Sequence, residues 1–360
     1  MYFELSSLRL DDLAVNSAKH KEQNTKYKNQ KMRSILITGG AGFIGSHLVD
    51  RLLLEGDCQV SVVDDFNDFY DPAIKRANLN VHQKNSNFHL FETDIRDKQA
   101  LETVFGEVFG GDDFQCIVHL AARAGVRPSL AQPLLYAETN IQGTLNLLEL
   151  GRASGVKQFV FGSSSSVYGI NARVPFSEDD PIRQTISPYA ATKAAGELLC
   201  YTYSHLYDVR CVCLRFFTVY GPRQRPDLAI HKFTRLISEG APVPVFGDGT
   251  TRRDYTFIDD IIAGVRAAID YVSNYSNSNY EVINLGESRT VELRELISLL
   301  EKELGATAKI DRQPLQPGDV PQTYADITKA RRLLDYNPQT QIEEGLHRFV
   351  EWFRRQGLSE

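Results

Sequence analysis

Tyr189 and Lys193 stand four residues apart in the stretch Ser187–Pro188–Tyr189–Ala190–Ala191–Thr192–Lys193. Ser187 suits a helix N-cap and Pro188 the first helical position, so the pair falls on one helix face. A tyrosine titrates near pKa ~10 and is a poor base at neutral pH, but a nearby cation favours its phenolate. Upstream lies the run Gly162–Ser163–Ser164–Ser165–Ser166, directly after the apolar stretch Gln158–Phe159–Val160–Phe161. A serine hydroxyl at such a strand end can donate to, or accept from, the substrate oxygen that the phenol serves. Together these residues could move a proton to and from a hydroxyl. Taken alone, Tyr189 also fits a half-buried aromatic and Lys193 a solvated helix charge.

A glycine-rich turn decides between those readings. The apolar run Ser34–Ile35–Leu36–Ile37–Thr38 ends in Gly39, with Gly42 and Gly45 at three-residue spacing. Phe43, Ile44, Leu48, Val49, Leu52 and Leu53 then follow at helical spacing. Strand, glycine loop and helix in that order form a cradle for a dinucleotide. Gly39 permits the tight turn, Gly42 lets a pyrophosphate approach the backbone, and Gly45 allows close packing. The amides at the helix start face the two phosphates. A second apolar run, Gln59–Val60–Ser61–Val62–Val63, ends in Asp64, placed to accept from the adenosine ribose hydroxyls. A carboxylate there repels a ribose phosphate, so the expected cofactor is NAD rather than NADP. Ala121 and Ala122 close a fourth strand pattern, and small residues there let a flat cofactor lie against the backbone. No metal site is expected.

The rest of the chain must position these groups. Apolar runs at 34–38, 59–64, 88–92, 116–120, 158–161 and 210–216 read as strands, and 282–285 as another. Helical spacing is expected over 98–109, 136–155, 259–272, 291–304 and 342–356. Alternating strands and helices predict an α/β fold, a Rossmann-type doubly wound parallel sheet with ligands outside the carboxyl ends of its strands. After Gly221 the texture breaks into short proline-punctuated elements, predicting a smaller mixed α/β substrate lobe. The expected division is 32–220 for the NAD-binding domain, with return segments around 254–285, and 221–253 plus 286–360 for the lobe. Residues 1–31 are polar and lysine-rich toward their end, and are expected to be a disordered tail or to precede the true start at Met32. With 360 residues the chain can bury a large core. Its net charge of −6 gives no attraction for nucleic acid, and no apolar run would span a membrane. Five cysteines without CxxC spacing fit reduced thiols and a cytoplasmic protein.

The glycine triplet, Asp64, Asp94, the Ser164 strand end and the Tyr189/Lys193 pair together resemble the extended short-chain dehydrogenase/reductase family. Within it the chain is similar to nucleotide-sugar epimerases, from about Met32 to about Gln356. The resemblance implies that Phe43 and Ile44 cover the pyrophosphate loop and that Asp94 and Ile95 flank the adenine. It implies that Ser164 and Tyr189 contact the reacting hydroxyl and that Lys193 holds the nicotinamide ribose. Arg253 would bind the substrate diphosphate and Asp319 the uridine ribose, while Ser165, Ser166, Thr218 and Arg225 would line the sugar pocket. The implied reaction is inversion at carbon 4: Tyr189 takes the hydroxyl proton as hydride passes to NAD, the 4-keto sugar turns over, and both return to the opposite face. Dehydratases of this kind carry Asp–Glu after the catalytic serine or threonine, and decarboxylases place Glu there; Ser165 and Ser166 disfavour both reactions. The alternative is another NAD-dependent nucleotide-sugar oxidoreductase or dehydratase. The segments Asp65–Phe66–Asn67–Asp68–Phe69–Tyr70–Asp71 and Lys75–Arg76–Ala77–Asn78–Leu79 look more like UDP-glucuronate 4-epimerases than UDP-glucose ones. Thr218 stands where the latter usually carry asparagine. Arg123, Arg223 and Arg225 are candidates for a sugar carboxylate, or for plain surface pairing. The resemblance also implies a homodimer through the 136–155 and 189–206 helices.

Overall fold

The computed structural model describes residues 32–106, 114–171, 173–274, 278–315 and 318–356. The expectations for residues 1–31, for 107–109 at the end of one helix and for part of the 274–279 loop lie outside them.

Strands are numbered in chain order: β1 (Arg33–Thr38), β2 (Cys58–Asp64), β3 (Phe88–Glu92), β4 (Cys116–His119), β5 (Gln158–Ser164), β6 (Arg210–Phe216), β7 (Thr218–Tyr220), β8 (Pro242–Phe246), β9 (Arg252–Arg253), β10 (Tyr255–Phe257), β11 (Tyr280–Leu285), β12 (Val291–Glu292) and β13 (Lys309–Gln313). Seven of them form one sheet in the order β11-β6-β5-β4-β1-β2-β3. The pairings β11–β6, β6–β5, β5–β4, β4–β1 and β2–β3 are parallel. The order reverses beside β1, so a crevice opens where β1 and β4 diverge toward their helices.

Both faces of this sheet are apolar because side chains alternate along each strand. Ile35 and Ile37 join the core beneath the Phe43–Glu55 and Ile258–Asn274 helices. Leu36 joins the core beneath Lys98–Gly106, Gly143–Ala153 and Pro188–Tyr207. Cys211 and Cys213 share that second face, as their alternation predicted.

After β6 the chain builds short two-stranded pairs: β10 with β7, β12 with β9 and β13 with β8. The C-terminal stretch is tied back by the Phe176 amide, which donates to Tyr324 O at 2.7 Å. From Ser34 onward the chain packs as one compact unit.

Two helix expectations need correction. The 136–155 stretch is Pro133–Ala137, a π-helical turn Glu138–Gln142, and then Gly143–Ala153. Gly143 sits against Ile95, where an added Cβ would lie 2.5 Å from Ile95 Cδ1. The π turn also aims Asn140 inward, and such turns gather at functional sites. The 291–304 stretch begins as strand β12, because Val291 and Glu292 pair with β9 before the helix Leu293–Leu304 starts.

Candidate active site

The glycine loop is built as its spacing implies. Gly39 has φ +71°, a left-handed conformation, and a Cβ there would lie 2.7 Å from Ala121 N. A Cβ on Gly45 would lie 2.2 Å from Gly39 O, so this glycine closes the loop on itself rather than on the sheet. Gly42 differs: an added Cβ would meet only Gly39 O, at 3.3 Å, and its other side is open. Gly39 donates to Val63 O at 2.7 Å, which fixes the loop over the end of β2.

Asp64 closes the cradle from below. Its Oδ2 accepts from the Ala41 amide at 3.1 Å and its Oδ1 from the Phe66 amide at 3.0 Å. Burial raises its pKa, and the Lys75 charge works against that rise. Lys75 is itself buried, donates to Asn67 O at 3.0 Å, and sits 5.0 Å from the Tyr70 ring centroid. It thereby holds the 65–71 loop beside the cofactor cradle. Asp94 Oδ2 accepts from Arg96 Nη2 at 2.6 Å and from Nε at 2.9 Å, and Oδ1 accepts from Nε at 3.1 Å. Burial pushes its pKa up, but the Arg96 bonds more than offset this and leave it below its ordinary value.

Strand β4 is joined to the loop by a neutral histidine. His119 Nδ1 lies 2.7 Å from Thr38 Oγ1 and Nε2 2.9 Å from Thr144 Oγ1. Burial holds its pKa at about 3, so the ring stays uncharged. Asn140 of the π turn accepts from Arg123 N at 2.8 Å and donates to Arg123 O and to Thr192 Oγ1, each at 3.0 Å. It links the turn after β4 to the catalytic helix.

The Pro188–Tyr207 helix starts as expected: Ser187 Oγ accepts from Ala190 N at 3.1 Å, with Pro188 first. Tyr189 is half-buried, with Ser164 within hydrogen-bonding reach. Burial pushes its phenol above the ordinary value, while the Ser164 bond and the Arg225 charge draw it back. The expected lysine is turned elsewhere. Lys193 Nζ donates to Gly162 O at 2.6 Å and lies 5.0 Å from the Phe161 ring centroid. Burial lowers its pKa to about 8, with Cys200, Glu197 and Cys213 opposing that shift. Among the cations, Arg225 draws the phenol's pKa down. Ser164 Oγ also caps the turn that follows, accepting from Ser166 N at 3.2 Å and lying 3.1 Å from Ser166 Oγ.

A single cavity of about 480 Å³ brings most of these groups together. Gly39, Gly42, Phe43, Ile44 and Gly45 line one end, with Asp64, Asp94, Ile95, Ala121 and Ala122 beside them. Ser164, Ser165, Ser166, Tyr189 and Lys193 line the middle, and Thr218 and Arg225 the far side. The open flank of Gly42, the helix start behind it and the Asp64 carboxylate fit a dinucleotide with two free ribose hydroxyls.

Arg253 and Asp319 do not line this cavity. Asp319 Oδ2 pairs with Arg127 at 2.8 Å, and the Arg127 guanidinium lies 4.2 Å over the Phe246 ring. Arg253 donates to Arg252 O at 2.8 Å. Burial pulls its pKa below the ordinary value, and Asp319 opposes that shift while Arg127 adds to it. These three charged groups form a neighbouring cluster. Of the three candidate carboxylate readers, Arg123 and Arg225 line the cavity, whereas Arg223 pairs with Asp50 at 2.7 Å. Arg225 is held by Asp227, at 2.7 and 2.9 Å, and stacks 5.1 Å over Phe69.

Sequence reasoning missed Asn140, His119 and Glu197. The first two had no local signal, since their partners lie 17 to 81 residues away. Glu197 did, because it continues the four-residue stripe of Tyr189 and Lys193.

Residues 36–349 match the family model described as GDP-mannose 4,6 dehydratase. The chain is 45% identical over 318 residues to the UDP-glucuronate 4-epimerase of Thermodesulfobacterium geofontis, covering 88% of this chain and 95% of that protein. Its structure resembles that of UDP-glucuronic acid 4-epimerase from Bacillus cereus in complex with UDP-glucuronic acid and NAD. There the TM-score is 0.82 and the identity 37%, over 90% of this chain and 99% of the other. It also resembles a UDP-glucose 4-epimerase from Thermotoga maritima with UDP-glucose, at TM-score 0.79 and 36% identity, over 90% and 99% of the two chains.

Proposed function

Because this chain belongs to the GDP-mannose 4,6-dehydratase-like family of short-chain dehydrogenases/reductases, we propose that it is an NAD-dependent UDP-sugar 4-epimerase acting on UDP-glucuronate. It is an isomerase, and the hydroxyl at carbon 4 is inverted through a transient 4-keto sugar. The observation that carries this reading is the shared cavity, in which Tyr189 and Ser164 stand beside the glycine loop and Asp64.

Bound NAD supplies the hydride acceptor and donor that make the inversion redox-neutral. The chain's own residues do the rest. Tyr189 takes the proton from the sugar hydroxyl and returns it on the opposite face. Ser164 holds the reacting oxygen by a hydrogen bond. Lys193 donates to the nicotinamide ribose, and Asp64 accepts from the adenosine ribose. The loop glycines leave room for the pyrophosphate, with Phe43 and Ile44 over it and Asp94 and Ile95 at the adenine. Ser165, Ser166 and Thr218 line the sugar site. Arg253 binds the substrate diphosphate, which suits a guanidinium fork. Asp319 accepts from the uridine ribose after leaving Arg127. The absence of carboxyl groups at Ser165 and Ser166 supports inversion over elimination within a family whose model bears a dehydratase description.

Arg123 and Arg225 support the uronate preference, because two guanidinium side chains line a cavity that takes a sugar. UDP-glucose is the second reading, supported by the Thermotoga maritima likeness. We propose a homodimer formed through the Pro188–Tyr207 helix. Leu198, Tyr201 and Leu206 lie exposed on the helix face opposite the one packed on the sheet. A cytoplasmic setting is supported by cysteines that are all buried thiols. No helix among the described residues is long and apolar enough to cross a membrane.

The test is incubation of the purified protein with NAD and each UDP-sugar. Formation of the carbon-4 epimer without net reduced cofactor supports the proposal. Stoichiometric reduced cofactor with an oxidised sugar overturns it in favour of a dehydrogenase.

A further inference from the structure

We infer that Glu197 and Arg215, acting through Ser163, are positioning residues that hold the catalytic helix in register with the serine-bearing end of β5. The inference rests on the epimerase reading for its kinetic readout and on geometry for everything else.

Glu197 lies one helical turn past Lys193 and two past Tyr189, on the same face. Ser163 and Arg215 are directly opposite partners across β5 and β6. The Glu197 carboxylate sits over both of them. Ser163 Oγ donates to Glu197 Oε1 at 2.5 Å. Arg215 Nε donates to Oε1 at 2.9 Å and Nη2 to Oε2 at 2.8 Å. The helix is thus fastened at one residue to two neighbouring strands.

The surroundings keep this clamp dry and close. Glu197 and Arg215 are each 3% exposed. The Arg215 guanidinium lies 4.7 Å over the Tyr168 ring, whose hydroxyl donates to Asn284 Oδ1 at 2.7 Å. Beside Glu197, a Cβ on Gly196 would lie 2.3 Å from the Phe161 ring, so helix and strand touch at this point. Neither Glu197 nor Arg215 lines the cavity.

A buried ion pair contributes little net stability compared with apolar residues of similar volume. What a bidentate pair does supply is direction. Ser163 is covalently next to Ser164, so its bond to Glu197 holds the stretch of backbone from which the Ser164 side chain projects. Tyr189 leaves the same helix two turns earlier. The clamp therefore sets the Ser164–Tyr189 distance, and a misplacement of about 1 Å at such a pair can cost ~100-fold in rate.

The experiment compares the NAD-loaded protein with its Ser163→Ala and Glu197→Gln variants, using UDP-glucuronate. Ser163→Ala keeps the ion pair and carries the test if Glu197→Gln fails to fold. The expected result is a roughly tenfold lower kcat for Ser163→Ala with KM within about twofold. A second readout needs no turnover: the tyrosinate absorbance change assigned to Tyr189 by subtracting the matching Tyr189→Phe protein. The groups facing that phenol are Ser164 from β5, Arg225 from the chain after β7, and the Tyr136 ring. Loss of the Ser164 bond should move the Tyr189 titration to higher pH. A Val243→Ala control in β8 should lower the thermal midpoint while leaving kcat and this titration in place. The inference is overturned if Ser163→Ala keeps kcat within about twofold and Tyr189 titrates as in the parent. It is also overturned if only the thermal midpoint falls. A parent that produces no epimer while the Tyr189 titration still shifts contradicts the epimerase reading and supports the clamp.

Discussion

Tyr189 has to give up a proton in surroundings that oppose its ionisation. Burial favours the neutral phenol, and within the chain only the Ser164 bond and the Arg225 charge pull the other way. The positively charged nicotinamide ring of bound NAD would add to that pull, which couples cofactor binding to the readiness of the base. Tyr189→Phe is therefore expected to lose about 10²–10⁴ in kcat while NAD affinity stays within a few-fold, as read by turnover and by calorimetric titration. Lys193 gives a pH prediction. Its folded pKa of about 8 lies below the ~10.4 of an unfolded lysine. The cost of burying its charge is fully present below pH ~8 and vanishes as pH rises through the unfolded value. The cofactor-free protein should therefore gain thermal stability relative to its Lys193→Met variant between those two pH values. Arg225 tests the uronate preference. Arg225→Met should raise KM for UDP-glucuronate by about tenfold or more, with a smaller effect on UDP-glucose, since a charge-assisted bond contributes ~1.5–3 kcal/mol. Equal effects on both sugars would remove the carboxylate from its role.

At the scale of elements, the glycine loop and the catalytic helix are the parts whose local chemistry dictates their form. Gly45→Ala would press a methyl group into Gly39 O, and the loop would have to open. The expected outcome is a lower thermal midpoint together with weakened NAD binding in the same variant, measured by thermal unfolding with and without NAD. These elements were legible in the sequence because turn geometry, capping and helical spacing are local. The serine run, the Tyr189/Lys193 pair and the strands of the sheet were likewise readable from runs of a few residues. What was not readable depends on contacts across the fold. The π turn at Glu138–Gln142 answers to Ile95 and to the Arg123 backbone, both far off in sequence. The orientation of Lys193 is set by Gly162 O on β5, so the spacing placed it on the correct face without revealing its partner. Arg253 and Asp319 were singled out for the substrate nucleotide, but Asp319 is engaged by Arg127, a residue with no motif of its own.

The whole molecule gathers the glycine loop, Asp64, Ser164, Tyr189 and two arginine side chains into one cavity at the carboxyl edge of the sheet. The Arg253, Asp319 and Arg127 cluster lies outside the cavity, and Gly318 beside Asp319 closely approaches Val126, which lines it. On the outer surface, Leu198, Tyr201 and Leu206 lie exposed on one helix, the face proposed for a second copy. Leu198→Glu should convert a dimer to a monomer in light scattering, and an unchanged mass would assign that face elsewhere. The central claim is that oxidation and reduction occur in turn on one sugar carbon within one cavity. The most direct measurement is product analysis with UDP-glucuronate deuterated at carbon 4, with unlabelled NAD bound. The account predicts the carbon-4 epimer with the deuterium retained and no reduced cofactor released. Deuterium accumulating in free reduced cofactor, or product still in its original configuration, would contradict it.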